Sequence, residues 1–281
     1  MAKAGDAEKT DLATRIAALR WYHSFDLPGG ISTVGLFKHG SVVNKLPIPA
    51  SLAGKRCLDV AASDGYWSFE LARRGAAEVV SVDLPDASLQ DYAGPPSDKP
   101  SRSAGTGQAN EAFALVKEAT GLNVERVDGS VYDLDQLGIG TFDYVFMGNI
   151  LLHLRDPILA LQKVRSVTKP DGEFLSFEPI SLPQTILRPL TPTAQFALDH
   201  EENRFWVPNL RGLKRMVKAG GFAIIDSGGP MLQQMGDAWP RRPQTRPRSL
   251  HEVTFWMFQR PFGAASDDVP PSGGESILGL T

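Results

Sequence analysis

A single cysteine, Cys57, cannot close an internal disulfide, so the fold must be held by its core. Cys57 sits inside an apolar run and reads as a small buried residue rather than a nucleophile. Positive charge is not in excess: 29 Lys and Arg stand against 32 Asp and Glu, a net charge of -3. That balance withholds the global basic field of a nucleic-acid binder. No apolar run reaches the ~20 residues of a membrane span. The N-terminus, MAKAGDAEKTD, lacks the apolar core of a signal segment. A reducing, cytoplasmic setting is the expectation. No metal is expected either, because the adjacent His200, Glu201 and Glu202 would diverge from one another on a helix.

Glycine is plentiful, at 27 residues, yet scarce where a dinucleotide site would need it. The stretch Arg56–Asp83, RCLDVAASDGYWSFELARRGAAEVVSVD, reads as strand, tight turn, helix and strand. Its turn, Ala61-Ala62-Ser63-Asp64-Gly65, has one glycine and no G-x-G-x-x-G, so a pyrophosphate has no cradle. Asp59 and Asp64 beside the turn would also repel phosphate. They suit a ligand with a cationic end. S-adenosylmethionine (SAM) has an ammonium, a sulfonium and a ribose, and no phosphate. Asp59 is placed to take the ammonium, and Asp83, at the carboxyl end of the second strand, the ribose hydroxyls.

The remaining chain is ordinary for a globular protein, 42% apolar and 22% charged, and long enough for one large domain with insertions. Thr10 or Asp11 can cap a helix running to about His23, with Leu12, Ile16 and Leu19 on one face. The block Trp21–Gly40 packs aromatics, two histidines and a Pro28-Gly29-Gly30 turn into a short segment. It reads equally as a lid over a cleft or as a packing arm. Strands are predicted at Cys57–Val60, Val79–Val82, Val124–Val127, Phe142–Met147, Phe174–Phe177, Phe222–Ile225 and Glu252–Gln259, alternating with helices. That alternation argues a mostly parallel α/β sheet with right-handed crossovers. Asp156 and Pro157 mark a helix start. Residues 86–108 and 179–205 read as insertions, the first a Pro/Gly/Ser-rich mobile loop, the second partly helical over Thr191–His200. The segment from Asn203 opens a further helix. A division follows into an N-terminal arm (1–50), a core domain (51–262) and a loose tail (263–281).

LDVAASDGYW followed by VVSVD, and the later FDYVFMGNILLHLRDP and VTKPDGEFLSFE, resemble class I SAM-dependent methyltransferases. Ala61 and Ser63 stand where that pattern has glycine, and both are small. The resemblance implies a Rossmann-like seven-stranded sheet with helices on both faces, and SAM as cofactor. Its site would be Asp59, Ala61, Ser63, Gly65, Asp83 and Leu84, with Gly129, Ser130 and Val131 at the adenine and Gly148 and Asn149 beyond strand four. WYHSFDLPGG, GAAEV and FWVPN together resemble a narrower group, akin to the tRNA wobble-uridine carboxymethyltransferases. That tRNA enzyme uses basic and aromatic residues before strand one to hold a carboxylated SAM. Here that segment offers Lys38 and Lys45 and neither Trp nor Arg.

A base is needed only if the acceptor loses a proton. His153 after strand four, Glu178 at the end of strand five and His23 in the arm are the candidates. The expected acceptor is a small molecule methylated on oxygen, nitrogen or carbon. The alternatives are tRNA modification and an inactive SAM-binding protein. Arg241, Arg242, Arg246 and Arg248 form the basic cluster that keeps nucleic acid open.

Overall fold

The short, largely apolar runs around Leu58, Val80 and Val145 become strands buried on both faces, as parallel sheets require. The computed structural model describes residues 2–94, 108–199, 203–231, 234–238 and 252–261. Its central sheet has seven strands: β1 Arg56–Val60, β2 Glu78–Asp83, β3 Glu125–Asp128, β4 Phe142–Gly148, β5 Thr168–Ser181, β6 Phe222–Met231 and β7 Glu252–Pro261. The order is β6-β7-β5-β4-β1-β2-β3. Strands β1 to β5 pair in parallel, and β7 lies antiparallel between β5 and β6. The expected Rossmann-like α/β sheet is therefore what forms. Its order reverses between β1 and β4, where an open sheet leaves a crevice at the strand carboxyl ends.

Five longer helices accompany the sheet: α1 Ala2–Ala17, α2 Tyr66–Arg73, α3 Ala109–Thr120, α4 Pro157–Val167 and α5 Leu210–Ala219. One face buries Trp67 and Phe69 of α2 with Phe113 of α3. The other buries Leu161 and Val164 of α4 with Leu213 and Val217 of α5. The Asp156 side chain accepts from the Leu159 amide at 2.9 Å and Pro157 follows, so α4 starts where its sequence signals. Among the described residues no helix is long and apolar enough to cross a membrane.

Three segments depart from the sequence reading. The N-terminal helix spans Ala2–Ala17 and does not reach His23; Trp21–His23 is a strand, parallel to Gly35–Lys38. Long-range bonds override helical periodicity there, since the Tyr22 and His23 amides donate to Asp64 at 2.9 and 2.8 Å. Gly35 permits the pairing, because a Cβ there would lie 2.2 Å from the His23 carbonyl carbon. In place of helix, Ala194–Asp199 is a strand antiparallel to Arg204–Pro208, with Phe196 and Trp206 paired at 5.0 Å. The following helix opens only after Asn209. Strand β5 runs on past Phe177 to Ser181.

The arm is built into the core rather than hinged over it. Trp21, Phe25 and Leu27 are buried against Tyr66, Trp67 and Phe69. Exposing each would cost about 1.5–3 kcal/mol. That supports the packing-arm reading, although the same arm also walls the crevice. The arginines at 241–248, His200–Glu202 and residues 263–281 lie outside the described residues.

Candidate active site

The turn after β1 carries out its job without the usual glycines. Ala61 and Ser63 hold φ of 61° and 54°, in the left-handed region that favours glycine. Each non-glycine residue there costs about 1–2 kcal/mol. Two bonds hold the strained turn: the Ala61 amide donates to the Val82 carbonyl at 2.8 Å, and the Ser63 amide donates to the Asp83 carboxylate. Arg126 braces it from β3, donating to the Ser63 carbonyl at 2.7 Å.

Above this turn lies a crevice of about 460 Å³. The volume is in the range that encloses a drug-sized ligand. The structure brings Asp59, Ala61, Ser63, Asp83, Leu84, Gly129, Ser130, Val131, Gly148 and Asn149 to its walls, together with His23 and His153. Gly65 and Glu178 do not line it. Gly65 opens α2 at φ 87°, where a Cβ would lie 2.5 Å from Phe113, so that glycine serves packing. Glu178 is buried, and accepts the Ile150 and Leu151 amides at 3.3 and 3.1 Å. It ties down the turn after β4. Burial pushes its carboxyl up to about 8 against those two amides.

Charge in the crevice is acidic. Asp59, Asp83 and Asp91 line it, and Arg126 is the single Lys or Arg among the described lining residues. Asp59 is buried and accepts the Ser68 hydroxyl at 2.6 Å; burial pushes its carboxyl up to about 7. Burial likewise raises Asp83, opposed by the Ser63 amide. Asp64 is spent on the arm: one oxygen takes the Tyr22 and His23 amides and the other pairs with His23 Nδ1. It therefore does not serve a ligand's cationic end. Cys57, pushed up to about 12 by burial, is no nucleophile.

The far side is lined by groups that sequence reasoning missed. Asp91 accepts the Tyr132 hydroxyl at 2.6 Å and the Arg155 amide at 2.8 Å. Asn203 donates to the Asp91 carbonyl at 2.8 Å, accepts the Ala93 amide at 2.9 Å, and offers its own carbonyl to His153 Nδ1 at 2.9 Å. The start of the insertion expected to be mobile is thus fastened at Asp91. Tyr22, His39, Trp67 and Phe146 complete the arm side of the crevice. The aromatics and two histidines of Trp21–Gly40 hinted at this wall, but no sequence signal gave His39 a role in it.

The residues fit SAM on their chemistry. An acid stands at the end of β2 for ribose hydroxyls, a buried acid at the end of β1 for a cation, and the acidic surplus disfavours phosphate. Comparison with known proteins agrees. The family model described as "Methyltransferase domain" matches residues 40–227. The chain is 28% identical over 187 residues to a ubiquinone biosynthesis O-methyltransferase of Neisseria meningitidis serogroup A, covering 64% of this chain and 68% of that one. It is 26% identical over 199 residues to a tRNA U34 carboxymethyltransferase of Alcanivorax borkumensis, covering 69% of this chain and 54% of the relative. The match thus spans about half the length of the carboxymethyltransferases. An O-methyltransferase family protein from Burkholderia thailandensis shares the fold at a TM-score of 0.50 and 15% identity, over 80% of this chain and 57% of that one. The chain belongs to the methyltransferase domain family and is a SAM-dependent methyltransferase.

Proposed function

We propose that this methyltransferase acts on a small molecule, at an atom that gives up a proton to His23. SAM bound in the crevice would supply an already activated methyl group, so positioning the acceptor provides much of the rate. Asp83 would hold the ribose hydroxyls, Asp59 the ammonium, and Leu84, Gly129, Ser130 and Val131 the adenine. Ala61, Ser63, Gly148 and Asn149 would let the cofactor approach the backbone. The observation that carries the reading is the buried His23–Asp64 pair opening onto the same crevice. Asp64 receives only donors, so His23 keeps its proton on Nδ1 and presents a lone pair at Nε2. This is the arrangement of a base oriented by a carboxylate. His153, steered by the Asn203 carbonyl, would bound the acceptor opposite.

The acidic lining, in which Arg126 is the single Lys or Arg among the described residues, supports a small acceptor over a tRNA loop. Purified protein incubated with methyl-labelled SAM and either a small-molecule extract or bulk tRNA separates the two. Label in the small-molecule fraction supports the proposal; label confined to tRNA overturns it. By calorimetry, Asp83→Ala should weaken S-adenosylhomocysteine binding by about 2–3 kcal/mol, since ribose hydroxyls lose a charged acceptor. Unchanged binding would remove Asp83 from the cofactor site.

A further inference from the structure

A second imidazole stands beside His23. His39, from the same arm, lies with its ring centroid 4.9 Å from that of His23, inclined at 48°. Both rings line the crevice and both are buried, at 5% and 1% exposure. Aromatic neighbours fix their orientation: Trp67 lies 5.0 Å and Tyr66 5.1 Å from His39, and Tyr66 also lies 5.5 Å from His23.

The two imidazoles hold their protons on opposite nitrogens. His23 Nδ1 faces the Asp64 carboxylate and carries the proton, leaving Nε2 as an acceptor. His39 Nδ1 is buried with no hydrogen-bond partner among the described residues. A buried N–H without an acceptor is worse tolerated than an unpaired lone pair, so the His39 proton belongs on Nε2. Burial, then the neighbouring His23, hold His39 well below the usual histidine range, so its ring is neutral and has one N–H to place. The wall therefore offers an acceptor and a donor side by side.

We infer that His23 and His39 together read the methyl acceptor as a hydroxyl flanked by a second oxygen. The acceptor class is a neutral phenol or enol beside a carbonyl. Its hydroxyl donates to His23 Nε2, and the neighbouring oxygen accepts from His39 Nε2. The rings stand close enough to address two adjacent oxygens of one planar molecule, which would lie against the wall that Trp67 and Phe146 share. A group with one isolated hydroxyl would leave the His39 N–H desolvated and unpaired, a penalty that acts against the wrong substrate.

The inference rests on the proposed SAM-dependent reaction and is tested separately from it. The full chain is saturated with S-adenosylhomocysteine and titrated calorimetrically with the neutral isomers 2-hydroxyacetophenone and 4-hydroxyacetophenone. The wild type should bind the 2-isomer about tenfold more tightly, one hydrogen bond's difference. His39→Phe should abolish the preference. His39→Gln, which keeps an N–H near the Nε2 position, should retain it. Unaltered S-adenosylhomocysteine binding in both variants shows that they are folded. Absence of a preference in the wild type, whether both isomers bind or neither does, overturns the inference alone, as does a preference that survives His39→Phe. Failure of S-adenosylhomocysteine to bind the wild type overturns the cofactor reading, and this inference with it.

Discussion

Single side chains set the chemistry of the crevice, and two can be tested without knowing the acceptor. Ser63 sits at φ 54° in the turn after β1, so Ser63→Gly should relieve backbone strain and raise stability by about 1 kcal/mol in urea denaturation. Stability equal to or below wild type would mean that the Ser63 side chain outweighs the strain. Asp59 gives a pH signature. Its carboxyl, ordinarily near 3.8, is pushed up to about 7, so in the free protein it is largely protonated below that value. A cation bound to Asp59 favours the ionised form. S-adenosylhomocysteine affinity should therefore rise between pH 5.5 and 7.5, with proton release on binding. Calorimetry in buffers of different ionisation enthalpy measures that release, and Asp59→Asn should remove it.

Elements were legible in proportion to how locally they are determined. The strands around Leu58, Val80 and Val145 carry their signal in continuous apolar runs, and α4 carries its start in Asp156-Pro157. Ten of the eleven residues expected at a cofactor line the crevice, Asp59 and Asp83 read from their place at strand ends and most of the others implied by the family resemblance. The illegible parts depend on distant partners. Trp21–His23 is a strand because Asp64 and Gly35 make it one, and Ala194–Asp199 because Arg204–Pro208 lies opposite. Glu178 looked like a residue over the cleft because strand five was read as ending there. In the structure β5 continues to Ser181, and Glu178 lies within it, opposite Phe255. Asn209 joins two such elements. It accepts the Gly212 amide at 2.7 Å and the Thr193 amide at 3.1 Å, and donates to the Thr191 carbonyl at 2.9 Å. Asn209→Ala should cost about 2–3 kcal/mol, a lost cap plus unpaired buried groups. Denaturation within 0.5 kcal/mol of wild type would show that the ends of α5 and the hairpin are independent.

For the whole molecule, the buried carboxyls tie stability to pH. Glu178 ordinarily titrates near 4.5 and is pushed up to about 8, so between those values the folded chain holds a proton that the unfolded chain has released. Its contribution is fully present below about pH 4.5 and is lost as pH rises through about 8, at up to about 1.4 kcal/mol per pH unit. Asp59 acts in the same direction up to about 7. Melting temperature should therefore fall from pH 6 to 8.5, and Glu178→Gln should flatten that decline. A flat wild-type profile would count against a buried, protonated Glu178. A different consequence follows from where the late strands insert. Gln234–Met235 closes the edge of Gly35–Lys38, with the Gly236 amide on the Leu36 carbonyl at 2.7 Å, and β7 fills the gap between β5 and β6. During synthesis on the ribosome, the wall that carries His39 cannot be finished until residues 234–236 have emerged, nor the sheet beneath it until β7 has followed. A nascent chain stalled before residue 234 would leave Gly35–Lys38, β5 and β6 with unpaired edges and be a target for chaperones rather than a partial enzyme.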